Sequence, residues 1–120
     1  MAVSTVLVVN DHTAAREELS AGLRQEGFEV EAFASAADCL DGCDFRAIAC
    51  AVVSHDMQDM TGFELAKVFQ TGWLGIPTIL LAQALPAGPQ ERMDAGIIAV
   101  LGIPPETAIL CGLLRKAVPA

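Results

Sequence analysis

Short aliphatic runs alternate with amphipathic segments along the first part of the chain. Val6–Val9 predicts a strand. Apolar residues then recur at helical spacing at Ala15, Leu19 and Leu23. Gly27 provides a stop signal for this helix after Arg24. The stretch FEVEAF alternates apolar and acidic residues, which is typical of an edge strand, and Ser35–Leu40 predicts a short helix.

The second half of the chain carries three continuous apolar runs, the signature of parallel strands that are covered on both faces. These runs are Ala47–Val53, Thr78–Leu81 and Ile97–Leu101. The segments that follow them predict helices at Gly62–Thr71, Gln90–Ala95 and Glu106–Ala117. The last helix has a wide apolar stripe at Ile109, Leu110, Leu113 and Leu114.

A strand followed by a helix, repeated along the whole chain, predicts an α/β fold with a doubly wound parallel sheet and right-handed crossovers. No linker, repeat or low-complexity tract interrupts the pattern, so we expect a single domain over residues 1–120 without an output domain. Sites in such sheets form at the carboxyl ends of the strands. This rule places five residues around one crevice: Asn10, Asp11, Ser54, Ala82 and Ile103.

Composition narrows the classes of function. The chain has 120 residues, of which 53% are hydrophobic, enough for a real core. A net charge of -8 argues against binding to nucleic acid or to an anionic membrane surface, because both need a cluster of basic residues. The N-terminus lacks the features of a signal peptide and no segment is apolar enough to span a membrane, so the cytoplasm is the expected location.

The four cysteines, Cys39, Cys43, Cys50 and Cys111, lack the spacing of a zinc site and are expected to be reduced thiols in the core. Cys39 and Cys43 would share one helical face. A metal or redox role for this pair is the alternative to simple burial.

The stretch CAVVSHDMQDMTGFEL, from Cys50 to Leu65, resembles the receiver domain of two-component response regulators, and most closely its FixJ-type subgroup. In that subgroup a Cys precedes the phosphorylated Asp, and a Met, Pro, Met and Gly follow it at fixed steps. Gly62 follows Ser54 at the family's spacing from acceptor to Gly. Further anchors are Pro77, Ala95, Gly96 and Pro104. The resemblance covers nearly the whole chain and implies a flavodoxin-like (βα)5 fold with strand order 2-1-3-4-5.

The resemblance assigns family roles to individual positions, and most of them hold another residue here. The acidic pair that binds Mg²⁺ in receivers corresponds to Asn10 and Asp11, so Asp11 is at most a weak Mg²⁺ ligand. The phosphoacceptor, the Thr or Ser, the Lys and the aromatic switch residue correspond to Ser54, Ala82, Ile103 and Val100. Pro104 stands in the place of the family's Lys-Pro pair, which implies a cis peptide bond after Ile103.

These replacements predict a pseudo-receiver that has lost ordinary phosphorylation. A Ser hydroxyl is a weak nucleophile without an activating base, and an Ile in place of Lys removes the cation that neutralises developing charge. We therefore expect a binding module rather than an enzyme, with no cofactor. The expected partner is a protein: a histidine kinase, a photoreceptor or another response regulator.

Other chemistries remain as alternatives at the crevice. Asp56 is a candidate for a displaced acceptor, and Ser54 is a candidate for phosphorylation as a serine. The fold can also reuse its crevice for a ligand, or for a metal through His12 or His55, although neither His has recognised ligand spacing. A Ser54–His55 nucleophile pair is disfavoured because adjacent residues of a strand point in opposite directions.

A surface near the C-terminus is the predicted interaction site, either for a partner or for a homodimer through the fourth helix, fifth strand and fifth helix. Its members are Leu85, Glu91, Arg92, Asp94, Ile109, Leu113, Arg115 and Lys116, with Pro86, Ile103 and Pro105 beside them. An apolar centre with a mixed-charge rim is typical of such interfaces. In the alternative, the apolar stripe of the last helix belongs wholly to the core.

Three features of the loops complete the expectations. Met57 and Met60 are predicted to fill gaps in the core rather than to form a binding surface. Asp59 is predicted to lie in a solvated loop. Trp73 is either an interface anchor or a partly buried plug of its loop.

Overall fold

The computed structural model describes residues 5–71 and 75–118, and these fold around a five-stranded sheet with strand order β2-β1-β3-β4-β5. The strands are β1 Thr5–Val9, β2 Glu29–Phe33, β3 Ile48–Ser54, β4 Thr78–Leu81 and β5 Ile97–Leu101. The helices are α1 Thr13–Gln25, α2 Ala36–Gly42, α3 Gly62–Phe69, α4 Pro89–Asp94 and α5 Thr107–Ala117. Every strand pair is parallel. The predicted fold class and strand order are confirmed, whereas Trp73 lies outside the described residues.

Local hydrogen bonds move several element boundaries away from the predicted ones. A 3-10 turn at Phe45–Ala47 precedes β3, so this strand begins at Ile48 and includes Ser54. Helix α3 ends at Phe69, because the last turn tightens and Thr71 N–H donates to the Val68 carbonyl. The periodicity of apolar residues does not predict these element boundaries, because they depend on which backbone groups form hydrogen bonds.

Two hydrophobic cores lie on the two faces of the sheet. Leu23 of α1 and Leu110 and Leu114 of α5 pack with Val6, Val8 and Val52 on one face. The other face is covered by Cys39 of α2 and by Leu65 and Phe69 of α3, which pack against Leu7, Val9 and Val53. Met57 and Met60 are partly buried against this second core, as the sequence predicts.

The two edge strands are less covered than the three central ones. Every residue of β3 and β4 is buried, whereas β2 and β5 are mostly half-buried or exposed. The expectation that Ile97–Leu101 is covered on both faces is therefore wrong, because β5 is an edge strand with a partner on one side only. Within it, the register passes from Ile97 to Ala99, so Ile98 is an extra, half-exposed residue at a bulge.

Gly62, the first residue of α3, holds the loop after β3 close to the sheet. A Cβ atom at this position would lie 2.5 Å from the Ser54 carbonyl oxygen and 2.9 Å from the His55 Cα atom. Only glycine allows this approach, because both of those atoms belong to the backbone. The Gly at this spacing in the sequence therefore has a packing role next to the carboxyl end of β3.

Across residues 5–71 and 75–118, none of the helices has the length and apolar character needed to span a bilayer.

Candidate functional site

The carboxyl ends of the strands surround a cleft of about 270 Å³. Of the five residues predicted to share a crevice, Asn10, Ser54 and Ile103 line it, and so do Asp56, the candidate for a displaced acceptor, and Pro104. Asn10 follows β1, Ser54 ends β3, and Ile103 and Pro104 lie in the loop after β5. Asp11 and Ala82 are not among the residues that line it. The parallel sheet thus brings most, but not all, of the predicted site together.

Helices α1 and α5 form the walls of this cleft. Leu19 and Leu23 of α1 face the cleft together with Leu110 of α5. Leu81, the last residue of β4 and the register partner of Ser54, completes the floor. Leu23 and Leu110 are almost fully buried, so the cleft reaches the core beneath the two helices. The space is therefore an apolar cavity with polar groups at its strand end.

Asn10 and Asp11, the predicted counterparts of the acidic pair of receivers, both accept hydrogen bonds from backbone groups. The Asn10 Oδ1 atom accepts a hydrogen bond from the His12 N–H at 2.9 Å. The Asp11 Oδ2 atom accepts one from the Gln58 N–H at 2.9 Å, in the loop after β3. The Arg16 guanidinium donates to the Asn10 carbonyl oxygen at 2.9 Å. These bonds order the loop after β1.

Ser54 is buried at the end of β3, with 6% of its surface exposed, and it faces the cleft. His55 does not line the cleft, and its Nδ1 atom is buried without a hydrogen-bond partner among the described residues. The two neighbours therefore do not meet at one reaction site.

Ala82 is buried beside the strand end, where its N–H donates to the Leu101 carbonyl oxygen at 2.9 Å. Val100 is partly buried against the core on the α2–α3 face.

The two acidic residues of the loop after β3 have different surroundings. Asp56 is exposed at the rim of the cleft. The Asp59 carboxylate accepts hydrogen bonds from the Ala37 N–H at 3.0 Å and the Ala36 N–H at 3.4 Å, at the beginning of α2. The expectation of a merely solvated Asp59 is therefore incomplete, because it ties this loop to a helix N-terminus where a carboxylate is favoured. Sequence spacing carries no sign of this contact, since the partners come from another element.

His12 also has a local structural role. Its Nδ1 atom accepts a hydrogen bond from the Ala15 N–H at 3.3 Å and so caps α1. Across the described residues, no group of three or more His, Cys, Asp or Glu side chains is placed to hold a metal ion.

Most of the large exposed apolar side chains of the described residues belong to the last three elements of the chain or to the loops beside them. Five of the six in the described chain lie on or beside α4, β5 and α5: Leu85, Met93, Ile98, Ile103 and Ile109. We call these five residues the apolar α4–β5–α5 face. Met93 is 70% exposed and Leu85 is 64% exposed, and the remaining large exposed side chain, Leu40, belongs to α2. Sequence analysis missed Met93 and Ile98, because a bulge and a short helix expose positions that periodicity assigns to the core.

Some of the polar residues predicted to surround this face already form hydrogen bonds within the chain. Glu91 accepts a hydrogen bond from the Gly88 N–H at the start of α4, and Asp94 accepts one from the Gln90 side chain. The Arg92 guanidinium donates to the Ala87 carbonyl oxygen at 2.7 Å. Lys116 is exposed near the end of α5, and Leu113 is half-buried against the core.

Arg115 is directed away from the apolar α4–β5–α5 face. Its guanidinium lies 3.1 Å from the Glu26 carboxylate and stands over the Phe28 ring. Both partners follow α1, so this side chain joins α5 to α1. Arg115 is therefore a poor choice for testing the predicted surface by mutation.

The cysteines fall into a paired and an isolated group. Cys39 and Cys43 are neighbours on α2 and its C-cap, and a hydrogen bond from the Cys39 thiol lowers the pKa of Cys43. The same pairing, together with burial, raises the pKa of Cys39. Burial raises the pKa of Cys50, in β3, to about 12. All four thiols are free.

A known family model covers most of the chain. Residues 6–102 match the model of the response regulator receiver domain. The transcriptional regulatory protein TdiR of Thauera aromatica is 32% identical over 79 residues, which are 66% of this chain and 35% of that protein. The chain thus spans about a third of this curated relative.

Solved structures show the same architecture. The response regulator StyR is 32% identical with a TM-score of 0.84, over 95% of this chain and 58% of that one. The chemotaxis protein CheY4 of Vibrio cholerae is 26% identical with a TM-score of 0.80, over 96% of this chain and 98% of that one. The structure named FIXJ-N is 26% identical with a TM-score of 0.76, over 95% of this chain and 92% of that one.

Proposed function

The chain belongs to the response regulator receiver domain family, and from this premise we propose that it is a FixJ-like pseudo-receiver that works by binding a protein without being phosphorylated. Receiver domains are modules of two-component signalling, and the proposal concerns how this one takes part. The observation that supports it is the chemistry of the cleft: Ser54 and Ile103 line it, and these are the residues that the resemblance assigns to the acceptor and Lys positions.

Phosphoryl transfer depends on positioning a nucleophile and on neutralising the charge that develops. Ser54 offers a hydroxyl with no hydrogen-bonded base beside it among the described residues. Ile103 presents an apolar side chain where a cation would be needed, and the Asp11 carboxylate is bonded to the backbone of another loop. Mg²⁺ is usually held by carboxylates together with phosphate oxygens, so this arrangement is a weak metal site.

This chain also lacks the side chains through which an active receiver changes conformation. Ala82 and Ile103 have no side-chain group that could hydrogen-bond a phosphoryl oxygen, and Val100 is packed against the core. A ligand shifts an equilibrium only when it makes different contacts in the two states. The domain is therefore expected to stay in one conformation and to present one surface.

The apolar α4–β5–α5 face is the proposed binding surface. Exposed apolar side chains that cluster on one side of a monomer mark interaction sites more often than scattered ones do. The proposed partner is a histidine kinase, a photoreceptor or another response regulator, and a homodimer through the same face is the second outcome. Arg92 is bonded to the Ala87 carbonyl oxygen and Arg115 to the Glu26 carboxylate. These two side chains therefore contribute less to the binding surface than the sequence suggests.

The chemical part of the proposal is tested by mass spectrometry. The chain is incubated with acetyl phosphate and Mg²⁺, and its intact mass and melting temperature are measured. No added phosphoryl group is expected, and beryllofluoride with Mg²⁺ is expected to leave the melting temperature unchanged, since a ligand that binds the folded state would raise it. A stoichiometric mass increase that disappears in Ser54→Ala or Asp56→Asn contradicts the proposal. Mass spectrometry of the chain from its native cells distinguishes serine phosphorylation of Ser54.

The binding part is tested on matched surface variants. Met93→Glu and Ile109→Glu place charges on the apolar α4–β5–α5 face, and Leu40→Glu is the control on α2. Self-association in sedimentation, or capture of a response regulator or kinase, is expected to weaken in the first two variants and not in the control. Association is also expected to be independent of Mg²⁺ and phosphodonor. A monomer at high concentration with no partner lost in these variants refutes the interaction surface.

A further inference from the structure

The cleft between α1 and α5 has the shape of a ligand pocket, and the proposed protein binding on the apolar α4–β5–α5 face does not explain that shape. It is concave, it reaches the core, and it ends on buried polar residues. Ligand pockets in proteins combine an apolar lining with a few polar groups that fix orientation. We propose that this cleft binds a small, largely apolar molecule, uncharged or cationic, that carries one hydrogen-bonding group.

The volume sets the size of the ligand. A cavity of about 150 Å³ lined by aliphatic side chains takes up a benzene ring. At about 270 Å³, this cleft has room for roughly two fused rings. A phosphoryl group or a hydrated metal ion would leave most of that space unfilled.

The lining sets the ligand's polarity. Leu19, Leu23 and Leu110 line the cleft with aliphatic side chains, and so does Ile103, which the resemblance assigns to the Lys position of receivers. At the other end, Ser54 and Asn10 are only 6% and 9% exposed, and the Asn10 Oδ1 atom is already occupied by the His12 N–H. Ser54 lines the cleft and brings a hydroxyl, which can donate and accept a hydrogen bond, to this end of it. This hydroxyl is the group that would orient a ligand.

The charges of the cleft exclude anions. Glu18 and Asp56 line it, and none of the residues that line it is basic, because the Arg16 guanidinium beside Asn10 is not part of the lining. A negatively charged ligand would have to approach these two carboxylates in a chain whose net charge is -8. The preference is therefore opposite to that of a site for phosphoryl groups, which needs cations.

A rigid two-ring probe with three different substituents tests size and charge together. 2-Naphthylmethylamine, 2-naphthol and 2-naphthoate share one apolar body and differ in charge. Amide and methyl NMR shifts are followed as each compound is added to the whole chain. Saturable shifts are expected at Leu19, Leu23, Ser54 and Ile103 with the amine and the alcohol, with a Kd in the roughly millimolar range expected for a ligand of this size. The carboxylate is expected to bind at least about tenfold more weakly.

Gly22 provides a variant that fills the cleft without disturbing the fold. It lines the cleft in the middle of α1, and a Cβ atom there would have no neighbour within 4 Å. Gly22→Leu is expected to fold and to raise the Kd of the amine at least about tenfold. Gly112→Leu is the matched control, because Gly112 is also a helical glycine with open space but does not line the cleft. Its Kd is expected to stay within about twofold of the wild-type value.

Ile103→Lys provides the charge test. A cation in the cleft is expected to weaken binding of the amine and to strengthen binding of 2-naphthoate, reversing the order of the probes. The proposal is overturned if the amine and the alcohol give no saturable shifts at the cleft, if Gly22→Leu binds as well as Gly112→Leu, or if the carboxylate binds as tightly as the amine. Shifts at Leu85, Met93, Ile98 and Ile109 without shifts at Leu19, Leu23 and Ser54 also overturn it. Because the probes and the protein partner are measured separately, either proposal can fail without the other.

Discussion

Asp11 and Gln58 join two loops at the carboxyl edge of the sheet, where the Asp11 Oδ2 atom accepts a hydrogen bond from the Gln58 N–H at 2.9 Å. One residue follows β1 and the other follows β3. A hydrogen bond to an ionised acceptor is stronger than one between neutral groups. The carboxylate that the sequence marks as a weak metal ligand therefore has a second role, which is to hold the two loops together.

Replacing Asp11 tests this loop contact. Asp11→Ala removes the acceptor and is expected to lower the free energy of unfolding by about 1 kcal/mol, whereas Asp11→Asn keeps an acceptor oxygen and is expected to cost about half as much. Urea denaturation of the three proteins measures both changes. If Mg²⁺ raises the melting temperature of the wild-type chain and not that of Asp11→Asn, the residue acts as a metal ligand instead.

Restoring the acceptor alone is expected to restore little phosphorylation. Ser54→Asp adds a carboxylate to a cleft that still lacks a cation and still has Asn10 turned toward the His12 N–H. Labelling by acetyl phosphate with Mg²⁺ should stay below about a tenth of that reached when Asn10→Asp and Ile103→Lys are added, because residues that act as a unit are not additive. Intact-mass spectrometry gives the labelled fraction of each variant. Equal labelling of the single and triple variants would show that the other two positions matter little.

A methyl group at Gly62 is expected to destabilise the domain. The added Cβ would lie 2.5 Å from the Ser54 carbonyl oxygen and 2.9 Å from the His55 Cα, and neither backbone atom can move without disturbing β3. Gly62→Ala should lower the free energy of unfolding by about 1–3 kcal/mol, as overpacking does. The control Gly112→Ala has open space within α5 and should raise it by about 0.5–1 kcal/mol through helix propensity. Thermal or urea unfolding of both variants measures the contrast, and similar effects in the two would contradict it.

Cysteine alkylation is expected to follow the pKa order of the thiols. The thiolate is the reactive form, so the lowered pKa of Cys43 means that its thiolate is present at a lower pH than an ordinary cysteine requires. Cys39 and Cys50 are both buried and both have a raised pKa, so these two thiols should react last. Peptide mapping after iodoacetamide treatment at pH 7 and pH 9 gives the order.

Cys39→Ala provides the control for this order. Without the thiol that donates to it, Cys43 should lose its advantage at pH 7 and react at the rate of an ordinary half-buried cysteine. Unfolding in urea should make all the thiols react alike, since their differences arise from the fold. Faster reaction of Cys50 than of Cys43 in the folded chain would contradict the assigned surroundings.

Several features of the candidate site could be predicted from the sequence. The crevice at the strand ends follows from the alternation of strands and helices, because parallel strands joined by helices all end at one edge of the sheet. Asn10, Ser54 and Ile103 do line one cleft there. The peptide bond after Ile103 is cis, which is the isomer implied by the resemblance of this loop to receivers.

Other features needed the folded chain. Asp59 and Asp11 read as solvated or metal-binding carboxylates in the sequence, but they bond to backbone groups that lie far away along the chain. Arg115 reads as part of an interaction surface, but its guanidinium turns to Glu26. The direction of a long side chain depends on which opposite charge lies within reach, and that is a property of tertiary packing.

By itself, the sequence determined the α/β class and the parallel sheet, because apolar periodicity is a local property. It also predicts that the usual side chains are replaced at the acceptor and Lys positions, since the resemblance assigns these positions to Ser54 and Ile103. The tertiary structure alone decided that Gly22 of α1, Leu110 of α5 and Ser54 of β3 face one cavity, and that Ile98 stands out from an edge strand at a bulge. The shape of a cavity depends on how the helices pack against the sheet, and that packing arises from contacts between residues that are distant in the chain.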